Sequence, residues 1–176
     1  KAKSLKKVKK LPIDAEKGFH SDTADQIMRV KEFYNEMSDY LKSIFCGSIC
    51  ISARGCNNYL WTSTTVGKNT YPKRSINFYD KFASKAKKHF YKLENKNKCT
   101  IYSKDARKLS KFIKPKSVDY VFTSPPYFDS LDYTAYYAKF VYPILEIDRI
   151  SVKKNLIQSL KTYETDMQKC LNEIVK

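Results

Sequence analysis

With 176 residues and 42% hydrophobic content, the chain has the length of about one domain and enough apolar material for a core. Its 34 Lys and Arg against 18 Asp and Glu leave a formal net charge of +16, which directs attention to polyanionic partners, nucleic acid first. No run of about 20 apolar residues occurs, which excludes a membrane-spanning helix. No apolar signal core follows the Lys-rich start. Cys46, Cys50, Cys56, Cys99 and Cys170 are odd in number and scattered. They form neither a disulfide framework nor a paired metal motif, so a reduced cytoplasmic protein without a metal is expected.

Residues 1–10 read as a loose basic segment. The chain starts with Lys rather than Met, which is taken as a sign of a piece of something longer. A helix is predicted from Ser21 or Asp22, capped by Asp22 or Thr23. Its apolar stripe runs through Ile27, Val30, Tyr34, Met37, Leu41, Ile44 and Phe45. Beyond Gly47, Ile49, Ile51 and Ala53 predict a second helix stopped by Gly55. Residues 57–74 read as a loop, in which Trp61 and Arg74 serve either packing or a ligand. A helix over 75–95 turns Ile76, Tyr79, Phe82, Ala86 and Phe90 inward and a row of lysines outward. Lys85 and Lys88, with Arg74, are candidate phosphate contacts; a solvated charged face is the plainer reading.

The second part of the chain carries the chemistry. Residues 99–102 predict a short strand, and Ser103-Lys104-Asp105-Ala106 leads into a helix over 106–113. Residues 114–116 turn the chain into a second strand at 118–122, rich in Val, Tyr and Phe. Strand, helix and strand together predict a βαβ unit with parallel strands. Pro125 and Pro126 end the second strand, because proline donates no ladder hydrogen bond. The turn that follows offers rigid carbonyl acceptors, the Ser124 hydroxyl and the flat ring of Tyr127. Such a set suits a planar group bearing an NH2. Acceptors on the amine hydrogens favour a tetrahedral nitrogen and free a lone pair otherwise conjugated into the ring. A helix is then predicted over 133–145, bent or ended by Pro143, and a last helix over 153–176. The last helix buries Leu156, Ile157, Leu160, Tyr163, Met167, Cys170, Leu171 and Ile174.

Thr123-Ser124-Pro125-Pro126-Tyr127 resembles the Ser/Asp/Asn-Pro-Pro-aromatic motif of amino-methyltransferases, and Asp105-Ala106-Arg107 with Leu109 resembles a stretch that precedes it in that family. Lys104 stands where the family usually has Gly. Asp132-Tyr133 and the aromatic helix after it are similar to one branch. The resemblance implies an α/β fold: a partial Rossmann-like methyltransferase region over 99–176, with a mainly helical basic region over 1–98 that corresponds to an insertion. It implies S-adenosylmethionine as methyl donor and an exocyclic base amine of DNA as acceptor, cytosine N4 favoured over adenine N6; RNA is a lesser expectation. It assigns catalysis to Ser124, Pro125, Pro126 and Tyr127, and cofactor contact to Asp105 and Ala106. A helix N-cap is the local alternative for Asp105. The family's glycine-rich cofactor loop is missing, since Gly18, Gly47, Gly55 and Gly67 lie far apart. The remainder of the enzyme, or a partner chain, is expected to supply it. A non-catalytic basic nucleic-acid-binding or assembly domain is the alternative reading.

Overall fold

The structure, a computed structural model, describes residues 1–16, 18–53, 75–90, 99–127, 132–136 and 138–176. The chain divides into two compact units, Lys1–Lys92 with Tyr133–Arg149, and Leu93–Asp132 with Ile150–Lys176. The elements in chain order are α1 (Ile13–Glu16), α2 (Ser21–Lys31), α3 (Asp39–Ser52), α4 (Phe78–His89), α5 (Tyr133–Tyr136), α6 (Val141–Ile144), α7 (Arg149–Asn155) and α8 (Tyr163–Ile174). Among the described residues three 3-10 segments accompany them: Ala2–Ser4, Tyr34–Glu36 and Ala106–Lys111.

In the first unit, His20 rather than Asp22 or Thr23 opens α2, its Nδ1 accepting from the Asp22 amide at 3.3 Å. Thr23 is thereby free for another task. Its buried hydroxyl donates to the Ile76 carbonyl at 2.7 Å and accepts from the Ile76 amide at 2.9 Å. Gln26 Oε1 accepts from the Phe78 amide at 2.7 Å. Helix α2 therefore sets the entry into α4 through side-chain bonds to backbone groups that a helix start leaves unpaired. The single long stripe read across α2 and α3 is broken at the Tyr34–Glu36 turn, and α3 restarts with Ser38 as its cap. Helix α3 runs through Gly47 without a pause, with the Lys85 side chain lying against that glycine.

The core of this unit is aromatic and aliphatic. Ile27, Phe45, Ile49, Phe78 and Ile144 are fully buried. Phe45 and Phe78 meet edge to face at 5.7 Å, a contact that adds about 0.5–1.5 kcal/mol to simple burial. The helix predicted over 133–145 divides into α5 and α6, with Pro143 in the first turn of α6, where a missing N–H costs nothing. Glu146 ends α6 with φ 58°, and the Ile147 amide returns to the Tyr142 carbonyl at 2.9 Å. That is the left-handed helix terminus. Lys31 pairs with Glu146 at 2.7 Å.

In the second unit, the Ala106–Lys111 segment packs along α8. The last helix predicted over 153–176 is broken after Asn155 and resumes at Tyr163, leaving Leu160 and Leu171 exposed. The buried positions of α8 are Asp166 and Cys170.

The α/β expectation, a partial Rossmann-like methyltransferase fold with parallel strands, is overturned. The described residues are helical and contain no strand or sheet. Ile101, Tyr120 and Phe122, which lie in the two segments read as strands, are 89%, 93% and 99% exposed. The physical reason lies between the two segments. A parallel crossover takes a dozen or more residues, usually a full α-helix. Here the connection, residues 103–117, is long enough but holds no α-helix, only a six-residue 3-10 segment with a non-helical kink at Lys108, followed by a turn at Lys116 with φ 57°. Two short strands without further neighbours are also marginal in water, whatever their β propensity.

Candidate functional site

The Ser124-Pro125-Pro126-Tyr127 turn carries no regular structure, as two successive prolines dictate. Ser124 and Pro125 are exposed, and the Tyr127 ring is 66% exposed. The turn is held at one point. The Tyr163 hydroxyl, at the first residue of α8, donates to the Pro126 carbonyl at 2.8 Å. Among the described residues, no donor meets the carbonyls of Ser124 and Pro125.

Asp105 is the N-cap of the Ala106–Lys111 segment, the local alternative that the sequence offered. Its carboxylate accepts from the Arg107 amide at 3.0 Å. The same carboxylate takes the Arg107 guanidinium through both oxygens, at 2.9 Å to Nε and 3.0 Å to Nη2. These bonds from Arg107 hold the Asp105 carboxyl below its ordinary range. Arg107 also reaches Asp166 at 3.1 Å and the Asn155 carbonyl at 3.3 Å. Asp166 is kept ionised first by Lys169, at 3.1 Å, and then by Arg107.

The two motif segments thus lean on one helix. Tyr163 holds Pro126, and Asp166, three residues on and on the same face of α8, holds Arg107 and through it Asp105. Sequence reasoning placed Tyr163 in a buried stripe and gave Asp166 no role. The signal that finds them is the i, i+3, i+7 spacing of Tyr163, Asp166 and Cys170, a face with a polar residue at its centre.

Lys85 and Lys88 belong to α4, in the first unit. Lys88 is exposed, whereas Lys85 is half-buried with its stem against Gly47. Arg74, Trp61, Cys56, Gly55 and Gly67 lie outside the described residues, as does the loop read over 57–74. Cys46, Cys50, Cys99 and Cys170 are free thiols; burial pushes the Cys46 and Cys50 thiols up, which makes them less reactive. Among the described residues no three His, Cys, Asp or Glu side chains gather as a metal site.

The residues assigned to S-adenosylmethionine do not fit it on their own. Asp105 spends its acceptors on Arg107, and Gly18 and Gly47, the two described glycines, sit in a turn and in α3. What the site offers chemically is a set of open carbonyl acceptors beside an exposed phenol ring. Comparison with protein-family models, with curated proteins and with solved structures finds no match to the chain.

Proposed function

We propose that this chain supplies the amine-gripping turn of a DNA amino-methyltransferase, with cytosine N4 favoured over adenine N6 as acceptor. The observation that carries the reading is the 124–127 turn itself. An exposed tyrosine ring follows the two carbonyl acceptors in the chain, and the Tyr163 hydroxyl holds the Pro126 carbonyl between them in sequence. A flipped base stacks on Tyr127, while the carbonyls of Ser124 and Pro125 accept the two amine hydrogens. As the nitrogen becomes tetrahedral, those acceptors tighten, so the stabilisation grows toward the transition state. Tyr163 is a positioning residue in this scheme. The methyl donor, S-adenosylmethionine, is held by a glycine-rich loop supplied by the rest of the enzyme or by a partner chain, and no step is assigned to Asp105.

The test uses a duplex carrying 2-aminopurine opposite an abasic gap, titrated with the full chain. Stacking on Tyr127 quenches the probe. Tyr127→Phe keeps the quench, because stacking needs the ring and not the hydroxyl. Tyr127→Ala removes the quench and weakens binding by about 1–3 kcal/mol, the usual worth of one base–aromatic stack. An unchanged quench in Tyr127→Ala rules the base-stacking role out.

A second reading, a non-catalytic nucleic-acid-binding or assembly domain, is favoured by the +16 charge. It anticipates tight binding of duplex DNA with no quench at any position.

A further inference from the structure

A cavity of about 240 Å³ opens on the second unit, between the end of the 3-10 segment, the 114–118 turn and the last turn of α8. Its wall is aliphatic: Ile113, Val118, Val121, Ile174 and Val175 line it. Val118, Val121 and Val175 are 53%, 54% and 83% exposed, so this apolar surface faces solvent. Lys114 and Lys116 also line it, and both are exposed. The cavity has one acid, Glu173, and its charge is already spent. Lys176 pairs with one oxygen, and the Ser110 amide and hydroxyl bind the other at 2.7 and 2.6 Å. These contacts hold the Glu173 carboxyl at about 2. Among the described residues, Lys114 and Lys116 have no acidic partner.

We infer that this groove docks an acidic polypeptide segment of another protein, which inserts one large apolar side chain between Val118, Val121 and Ile174 and sets carboxylates against Lys114 and Lys116. Size argues for one side chain, since small-molecule sites run from roughly 300 to 1,000 Å³. Chemistry argues against nucleic acid, which the two ammonium groups alone would accept. None of the described residues lining the cavity carries an aromatic ring for base stacking. Charge argues against a second copy, because a basic rim on a chain of net charge +16 repels itself. An acidic partner removes that repulsion and gains association rate from the same field. The inference does not depend on the methyltransferase reading, as the groove uses none of residues 124–127.

The test is fluorescence anisotropy with the 176-residue chain and a fluorescein-labelled twelve-residue peptide of Glu with a single central Phe. Saturable binding that weakens as salt rises is expected. Replacing the Phe by Ala, or all Glu by Lys, lowers affinity about tenfold or more, as expected when an anchor or its charge partner is lost. Val121→Asp in the chain does the same, and Lys114→Glu costs a smaller part; both positions are on the surface, and circular dichroism checks that the helices persist. Equal binding of the Phe and Ala peptides makes the attraction mere charge and overturns the proposal. So does wild-type affinity in Val121→Asp, or a dimer in sedimentation that Val121→Asp abolishes, which would make the occupant a second copy.

Discussion

Among the described residues of the second unit, three carboxylates are tuned by named partners, and each leaves a mark on stability. Glu173 is held by Lys176 and Ser110, Asp105 by Arg107, and Asp166 first by Lys169. All three are depressed below the ordinary carboxylate range of about 4. A group with a lower pKa folded than unfolded binds fewer protons when folded, so stability grows as pH rises through that interval. The stabilisation is complete above the unfolded value. It disappears as pH falls through the folded one, for Glu173 between about pH 4 and about 2. Urea titrations at pH 5, 4, 3 and 2 are expected to show this loss, and Glu173→Gln is expected to flatten part of it. A Glu173→Gln chain that loses as much as the parent over that interval would show that the Lys176 and Ser110 contacts do not stabilise the fold.

At the scale of elements, two glycines make opposite predictions. A methyl group at Gly18 would stand 2.4 Å from Phe140 Cε1 and 2.7 Å from its Cζ. That ring is wedged edge-on against Phe19 at 5.2 Å and has little freedom to retreat. Gly18→Ala is therefore expected to destabilise the chain by about 1–3 kcal/mol, the usual cost of overpacking. A methyl group at Gly47 would meet Lys85 Cε at 2.5 Å, but that is the far end of a flexible side chain. Gly47 lies inside α3, where glycine is about 0.8–1 kcal/mol worse than alanine. Gly47→Ala is expected to raise the melting temperature, with Lys85 swinging into solvent. Thermal melts of the two variants decide the matter, and a rise for Gly18→Ala or a fall for Gly47→Ala contradicts the packing described for α3 and for Phe140.

For the whole molecule, charge is the dominant property. Lys3 lies over the Tyr79 ring at 5.2 Å, and Arg29 donates to the Leu5 carbonyl, so part of the basic N-terminal segment is anchored on the first unit. Duplex DNA is the proposed polyanion. Its binding is expected to show little sequence preference and a slope of log affinity against log salt of about −0.9 for each phosphate neutralised. Affinity that stays flat between low and physiological salt would remove the argument from charge. The two units also differ in burial. Every buried large apolar side chain among the described residues belongs to the first unit, while Ile101, Tyr120, Val121 and Phe122 of the second are exposed. Amide exchange is accordingly expected to be slower in α2, α3 and α4 than in residues 99–127.

The sequence by itself determined the helices that carry their own periodicity. The inward residues of α2 and α3 follow from i, i+3, i+4 spacing, because a helix satisfies its backbone within one segment and needs its neighbours only to cover a stripe. In α4 the buried residue is Phe78, outside the predicted stripe, and Phe90, predicted to face inward, is 69% exposed. It also located the Pro-Pro-Tyr turn, since proline geometry is a property of the residue. Tertiary structure decided everything that depends on a partner distant in the chain. Residues 99–102 and 118–122 have strand composition, but a strand exists only through another strand, and the link over 103–117 forms a kinked 3-10 segment rather than the α-helix that usually makes a parallel crossover. Asp105 caps the 3-10 segment through Arg107, two residues on, a contact within reach of the sequence, whereas the pairing of Arg107 with Asp166, 59 positions away, was not. The brace from Tyr163 to Pro126 spans 37 residues and left no periodic trace, because one hydroxyl meeting one carbonyl has no repeat for a sequence pattern to carry.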